Sequence, residues 1–319
     1  MQNNDYNLYP EIDIFSQNFL FAGNSHEIYY EICGNPSGSP VVFLHGGPGS
    51  GCNPTQRRFF DPAHYRIILI DQRGCGRSKP QGSIIQNTTQ DLIIDIDAIR
   101  IALGIEKWLV FGGSWGSTLA LTYALQYPEN VTGLILRGIF LSRPSELDWF
   151  LGQVKTFFPD SWNELCKFLP PDKRCNPLNA YDHLIFSDDE NISIPAAIRW
   201  NAFESSIMSL LPRTASSNNE INGHVELARA RVQIHYIKNN CFVGERDLLN
   251  EAKYKLAHIP THIIQGRYDM VCPPVTAWEL SLAMPHAEFH IIKDAGHSAM
   301  ESGITSALVA ATEKFKDIH

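Results

Sequence analysis

Residues 109–121 read LVFGGSWGSTLAL. An apolar run enters this stretch and a mostly apolar run leaves it. Between them stand three glycines, a tryptophan and a serine, with no cluster of polar turn residues. Residues 108–111, WLVF, have the aromatic and β-branched character of a buried strand. From Trp115 to Tyr127 small and apolar residues recur at helical spacing, and Pro128 marks the stop. A strand that becomes a helix within about two residues forces its corner residue, Ser114, into a strained backbone conformation. The positions two before and two after the corner then have almost no room for a side chain, and they are Gly112 and Gly116. The G-x-S-x-G corner lifts the Ser114 hydroxyl above the sheet. The next helix begins beneath it, with free N–H groups and a positive dipole end. A bare G-x-S-x-G also recurs by chance in glycine-rich turns, so the surroundings decide its meaning.

The 319 residues suffice for one large domain, or for a core with an insertion. A hydrophobic fraction of 44% and a charged fraction of 19% suit a soluble globular protein of enzyme size. The net charge is −8 and no lysine- or arginine-rich run occurs, which excludes nucleic acid as the expected partner. The negative balance weakly favours cationic ligands. Seven cysteines are scattered without a C-x-x-C, so neither a disulfide framework nor a zinc site is expected, and a reducing compartment fits. The first residues, MQNNDYNLYPEIDIF, lack the basic and apolar regions of a signal peptide, and no apolar run is long enough to span a bilayer. The expected location is the cytoplasm, with no membrane partner.

Residues 12–33 alternate polar and apolar, notably HEIYYEIC, which predicts one or two N-terminal antiparallel strands. Short apolar runs follow: VVFL at 41–44, RIILI at 66–70, WLVF at 108–111, LILR at 134–137, HIIQ at 262–265 and FHII at 289–292. Helical patterns separate several of them. The clearest is 89–103, with Leu92, Ile96, Ile99 and Leu103 on one stripe, Thr88 and Asp91 as an N-terminal cap pair and Gly104 as a stop. Such alternation predicts a mostly parallel sheet with helices on both faces. From about 141 to 255 no buried strand is evident and helical patterns dominate, as in PAAIRWNAFESSIMSLL and HVELARARVQIHYIKNN. The expectation is an α/β-hydrolase fold with its core in 1–140 and 256–319. An all-helical cap over 141–255 would overhang the carboxyl ends of the strands, where ligands bind in open α/β sheets.

A nucleophilic serine needs a base, and the base needs an orienting acid. In this fold they follow in the chain order Ser, Asp or Glu, His. His297, in KDAGHSAM, lies just past the last predicted strand, and Asp269, in QGRYDMVCP, just past HIIQ. Both loops can converge on the Ser114 corner. Asp294 is the alternative acid, but it lies in the same loop as His297 and would have to fold back. HGGPGSG, residues 45–51, follows VVFL, and its backbone N–H groups suit a developing oxyanion. Gly47 and Trp115 are the expected oxyanion donors, with His45 anchoring the loop. No G-K-[ST] follows, which argues against a phosphate-binding loop. Asp71 and Arg73, in DQRGCGRSKP, are expected to form a buried structural ion pair.

Taken in order, HGGPGSG, DQRGCGRS, GGSWGSTLAL, LRGIF and GRYDMVCP resemble the proline iminopeptidase family from about residue 10 to the end. The resemblance implies a serine exopeptidase that releases N-terminal proline from small peptides, without metal or cofactor, and whose helical cap supplies the specificity pocket. It implies a triad of Ser114, Asp269 and His297. It places Phe140, Phe150 and Cys272 around the pyrrolidine ring, with Phe150 standing where some members have tyrosine. It assigns Glu204, in WNAFESS, to the substrate's free amino group. One departure stands out: some members carry a second glutamate in a segment like ARIENHY, whereas this chain reads ARVQIHY, with Gln233 at that position. Gln233 is expected to accept a hydrogen bond from the substrate nitrogen through its amide oxygen, without bringing charge.

Two other readings share these features. A broader aminopeptidase, or an esterase or amidase for small acyl groups, has the same fold and triad, because specificity resides in the cap pocket. A catalytically silent binding protein of the same fold is the reading from another class, and the complete Ser114, Asp269, His297 set stands against it. The sequence accommodates a monomer or a homo-oligomer.

Overall fold

The computed structural model describes residues 6–23, 25–211 and 221–317. Among these residues eight strands form one sheet: β1 (Ile14–Phe21), β2 (Glu27–Gly34), β3 (Ser39–Leu44), β4 (Tyr65–Ile70), β5 (Trp108–Gly113), β6 (Val131–Arg137), β7 (Thr261–Gly266) and β8 (Glu288–Ile292). Their spatial order is β1-β2-β4-β3-β5-β6-β7-β8. The two N-terminal strands are antiparallel to each other, β2 is antiparallel to β4, and all later neighbours run parallel. The predicted strands are present: the stretch 12–33 supplies β1 and most of β2, and the six later runs are longer than predicted by one to three residues.

Alternation along the strands divides the core. Val42, Leu44, Ile68 and Ile70 point to one face, under helices α1 (Thr89–Ala102), α2 (Trp115–Gln126) and α9 (Pro274–Ala283). Val41, Phe43, Ile67 and Leu69 point to the other, under α10 (Ser302–Lys314). Helix α1 begins as its sequence predicts: the Thr88 side chain accepts from the Asp91 N–H while the Asp91 carboxylate accepts from the Thr88 N–H. Gly104 ends that segment with φ +64°. Chain direction across the sheet reverses between β3 and β5, which lie side by side although β4 separates them in sequence. At such a switch point the loops after both strands splay apart and leave a crevice. HGGPGSG follows β3 and Ser114 follows β5, so this topology brings the two motifs together.

Between β6 and β7 the described residues form helices and turns only: α3 (Pro144–Phe150), α4 (Pro159–Lys167), α5 (Pro177–Ile185), α6 (Glu190–Ser206), α7 (Gly223–Lys238) and α8 (Leu248–Lys255). Leu147, Phe150, Leu165, Tyr181, Trp200, Phe203, Leu227 and Ile234 build a separate apolar cluster. Helix α7 joins the two parts, since Val232 and Tyr236 on its other side enter the core of the sheet. Helix α8 packs on α2 and α9, with Leu248 and Ala252 in the sheet's own core. We propose that the functional cap spans the helices up to α7 and that α8 belongs to the hydrolase core.

Candidate active site

Ser114 sits at the β5–α2 corner with φ 58° and ψ −129°, a conformation disfavoured for a residue with a side chain. A Cβ on Gly112 would stand 2.0 Å from the Gly116 carbonyl oxygen, and one on Gly116 would stand 2.2 Å from that of Leu44. The corner therefore closes only with glycine at both positions. The Ser114 N–H donates to the Arg137 carbonyl oxygen at 2.8 Å, which ties the corner to the end of β6. Trp115 is the first residue of α2, so its N–H has no acceptor within the helix. Its indole donates to Gln72 Oε1 at 2.9 Å and is buried.

The loop after β7 delivers Asp269, whose Oδ1 accepts from the N–H groups of Val271 (3.0 Å) and Cys272 (2.7 Å). Its Oδ2 accepts from Gln265 Nε2 at 3.0 Å and lies 2.7 Å from His297 Nδ1. Both partners of this Asp–His contact are buried. The acid beside the ring is thus Asp269, and Asp294 makes no hydrogen bond to it among the described residues. The contact assigns the ring proton to Nδ1 and leaves the lone pair on Nε2, the tautomer a general base requires. That lone pair receives Arg137 Nη1 at 3.1 Å, and the same guanidinium nitrogen donates to the His297 carbonyl oxygen at 3.0 Å. Desolvation pushes the Arg137 guanidinium below its usual pKa. Ser114 Oγ faces Cys272 Sγ at 4.0 Å. Burial holds the Cys272 thiol well above its usual pKa, so this neighbour is a neutral thiol.

His45 holds the glycine loop. Its Nε2 accepts from the Gln72 N–H at 3.0 Å and its Nδ1–H donates to the Gly46 carbonyl oxygen at 2.9 Å. Desolvation lowers its pKa, which keeps the ring neutral and able to accept. Gly47 lines both cavities that open at Ser114. The smaller, about 40 Å³, is walled by Phe140, Leu147, Phe150, Ile237, Val271 and Cys272, with Glu204 and Gln233 as its polar members. The larger, about 270 Å³, runs past His297, Arg137, Met208, Arg229 and Met300.

Glu204 is 5% exposed and already has partners. Oε2 accepts from Arg229 Nη2 at 2.6 Å, and Oε1 accepts from Gln233 Nε2 at 3.0 Å. Gln233 Nε2 also donates to the Gly47 carbonyl oxygen at 3.3 Å, while its Oε1 accepts from Trp200 Nε1 at 2.5 Å. The expectation that this amide oxygen faces the substrate nitrogen therefore needs correcting. It is held by the Trp200 indole, and Gln233 turns its N–H groups towards Glu204 and the glycine loop. Sequence reasoning missed Arg229 and Arg137. Arg229 stands four residues before Gln233 and so on the same side of α7, a spacing that signals a shared environment. Arg137, at the end of LILR, gives no such signal.

The expected Asp71–Arg73 pair is also corrected. Arg73 grips Asp95 of α1 through two hydrogen bonds, Nε–Oδ2 at 2.6 Å and Nη2–Oδ1 at 2.8 Å. Asp71 instead pairs with Arg77, which also reaches the buried Glu31. The Asp71 carboxylate is already held by the N–H groups of Cys52 and Arg77 and by Arg77 Nε, and Arg73 finds its carboxylate across the core on α1.

Residues 39–304 match the model of the alpha/beta hydrolase fold. Solved structures with low identity share that fold. A hydrolase from Bacillus anthracis str. Sterne superposes with a TM-score of 0.59 at 19% identity, covering 94% of this chain and 100% of its own. The meta-cleavage product hydrolase of Pseudomonas fluorescens IP01 gives 0.59 at 22% identity, covering 96% and 99%. Similarity in sequence is much higher to a proline iminopeptidase of Xylella fastidiosa (strain Temecula1), 47% identical over 97% of this chain and 99% of the relative. The proline iminopeptidase of Arabidopsis thaliana is 46% identical over 98% of this chain and 83% of its own. The chain belongs to the α/β-hydrolase fold family and, within it, to the proline iminopeptidases.

Proposed function

We propose that this chain releases N-terminal proline from small peptides by acyl transfer through Ser114, the activity for which its relatives are named. The observation that carries the reading is the small cavity at Ser114, with apolar walls of Phe140, Phe150 and Cys272 and the Glu204 carboxylate at its edge. A prolyl ring is apolar on its carbons and cationic at its nitrogen, and such a cavity meets both needs. Leu147 and Ile237 line the same small cavity, and in this reading they close the space beyond the proline nitrogen, so that one residue is released. The leaving peptide extends into the larger cavity.

In the proposed reaction Ser114 Oγ turns from Cys272 towards His297 Nε2 as substrate enters, and Arg137 Nη1 yields that nitrogen. His297 takes the hydroxyl proton as Oγ bonds to the proline carbonyl carbon, while Asp269 holds Nδ1–H and stabilises the imidazolium. The negative charge that develops on the carbonyl oxygen falls to the N–H groups of Trp115 and Gly47. His297 protonates the departing amine, and water activated by the same ring then hydrolyses the prolyl ester. Glu204 accepts from the substrate ammonium throughout and orients the ring. The test compares kcat/KM for prolyl, alanyl and N-acetyl-prolyl amides of one fluorophore. A charged hydrogen bond of about 1.5–3 kcal/mol predicts that blocking the amine costs about 10- to 100-fold. Equal turnover of blocked and free substrates would leave a small-acyl amidase in place of an exopeptidase.

A further inference from the structure

A second cluster of chemistry-bearing side chains lies at the opposite end of the sheet. Strands β7 and β8 run parallel, with His262 paired to Glu288 and Ile264 paired to His290. Because side chains alternate along a strand, His262, Glu288 and His290 project from the same face. The two imidazole rings stack there, with 5.8 Å between centroids and 7° between planes. Glu288 reaches both: Oε1 lies 3.7 Å from His262 Nε2, and Oε2 lies 3.6 Å from His290 Nε2. One ligating atom from each of the three lies within 4.8 Å of the other two. His262 is 5% exposed, and Phe315 pins its ring edge-to-face at 5.4 Å. Its Nδ1 has no hydrogen-bond partner among the described residues, and its Nε2 faces the carboxylate from beyond hydrogen-bond reach. A buried imidazole without hydrogen bonds is uncommon, and nothing in the proposed peptidase reaction calls for it.

We infer that His262, Glu288 and His290 form a binding site for a divalent transition-metal ion of the zinc class. Two imidazole nitrogens and one carboxylate are a donor set that this class favours over magnesium or calcium, with water completing a tetrahedron. Ligands about 2.0–2.1 Å from a tetrahedral ion stand roughly 3.4 Å from one another, so the Glu288 spacings of 3.7 and 3.6 Å need only a slight closure, while the two imidazole nitrogens, which lie within 4.8 Å, move closer together on binding. The Lys314 ammonium, paired with Glu288, competes with the ion for the carboxylate. His262 stands near the start of β7, whereas Asp269 and His297 follow the far ends of β7 and β8. The bound ion therefore fastens the edge strand β8 to β7 and takes no part in the chemistry at Ser114.

The test titrates chelator-treated, desalted protein with Zn²⁺ by calorimetry and with Co²⁺ by visible absorption, and follows the melting temperature with and without Zn²⁺. Wild type, His290→Gln and Lys314→Gln are compared. Both substituted positions are partly or fully exposed, so the variants fold. The expected result is one Zn²⁺ per chain in wild type, with a rise in melting temperature and a Co²⁺ spectrum of tetrahedral type. His290→Gln should weaken binding at least tenfold, since loss of mere outer-sphere support already costs about 10- to 100-fold. Lys314→Gln should tighten it several-fold by freeing the carboxylate. Equal affinity in wild type and His290→Gln would put the ion elsewhere, for example on the free thiols, and overturn the assignment. Absence of saturable binding in wild type would overturn it as well.

Discussion

Replacing Gln233 by Glu perturbs the best-defined polar contacts of the small cavity. The amide Nε2 donates to Glu204 Oε1 at 3.0 Å and to the Gly47 carbonyl oxygen at 3.3 Å, and Oε1 accepts from Trp200 at 2.5 Å. A carboxylate in its place keeps the Trp200 bond but sets a second anionic oxygen about 3 Å from Glu204. At an effective dielectric constant of about 20, two unit charges at that separation repel by roughly 5–6 kcal/mol. Arg229, 2.6 Å from the other Glu204 oxygen, offsets only part of this. Without ligand the two carboxyl groups therefore hold one proton between them, which restores the donor that the amide supplied. A substrate ammonium takes that proton's place, so binding a free amine expels it. The sign follows: in the variant, kcat/KM for free-amine prolyl substrates rises with pH through the interval where the pair titrates, by up to about tenfold per unit. An acetylated prolyl substrate brings no charge and shows no such rise. At the alkaline end, the added charge-assisted bond less the residual repulsion leaves a gain of about 1 kcal/mol, or several-fold, in preference for the free amine. The assay is the ratio of kcat/KM for free and acetylated prolyl amides across neutral pH in both proteins, so that titration of the substrate itself cancels. An identical ratio in both proteins at every pH, with the variant folded, would refute the placement of Gln233 beside the amine site.

Glu204→Gln should lower kcat/KM for free-amine substrates by about 10- to 100-fold and leave acetylated ones nearly unchanged; equal losses on both would make Glu204 structural. Arg229→Gln should lower the melting temperature, because it leaves a buried carboxylate without its counter-ion. The cost should lie near the low end of about 3–5 kcal/mol, since the Arg229 side chain is 26% exposed. The same variant should lower KM for free-amine substrates, as the ammonium no longer shares Glu204 with a guanidinium; a raised KM would contradict that competition. Gly116→Ala should destabilise the fold by at least about 1–3 kcal/mol in urea titration and impair turnover, because its Cβ would press on the Leu44 carbonyl 2.2 Å away. Wild-type stability and activity would show that the corner tolerates a side chain.

Features encoded by local pattern could be read from the sequence, while those made by long-range contacts could not. Strand runs such as VVFL and RIILI are short, apolar and bounded by turn residues, so their existence followed from the residues alone. The G-x-S-x-G corner followed in the same way, since only glycine tolerates the approach of Leu44 and Gly116 oxygens. His297 and Asp269 were legible because each directly follows a predicted strand, and parallel strands deliver their following loops to one edge. Ion-pair partners were less legible. Arg73 lies two residues from Asp71 but pairs with Asp95, which α1 carries across the core. Glu204 and Arg229 are held together by α6 and α7, and no sequence period reports the packing of two helices. Arg137 looks like an ordinary strand-end arginine until β6 places it beside His297. The pattern of α8 is amphipathic, yet amphipathicity says only that a face is buried, not against which core.

The most direct test of Ser114 as the nucleophile is the turnover of a free-amine prolyl amide by Ser114→Ala, purified away from host peptidases and checked for native circular dichroism. The hydroxyl is partly exposed at the corner and contributes little packing, so the variant should fold like wild type. Triad members act as a unit, and the account predicts a fall in kcat of about 10⁴-fold or more. Turnover close to that of wild type in the folded variant would contradict the account at its centre.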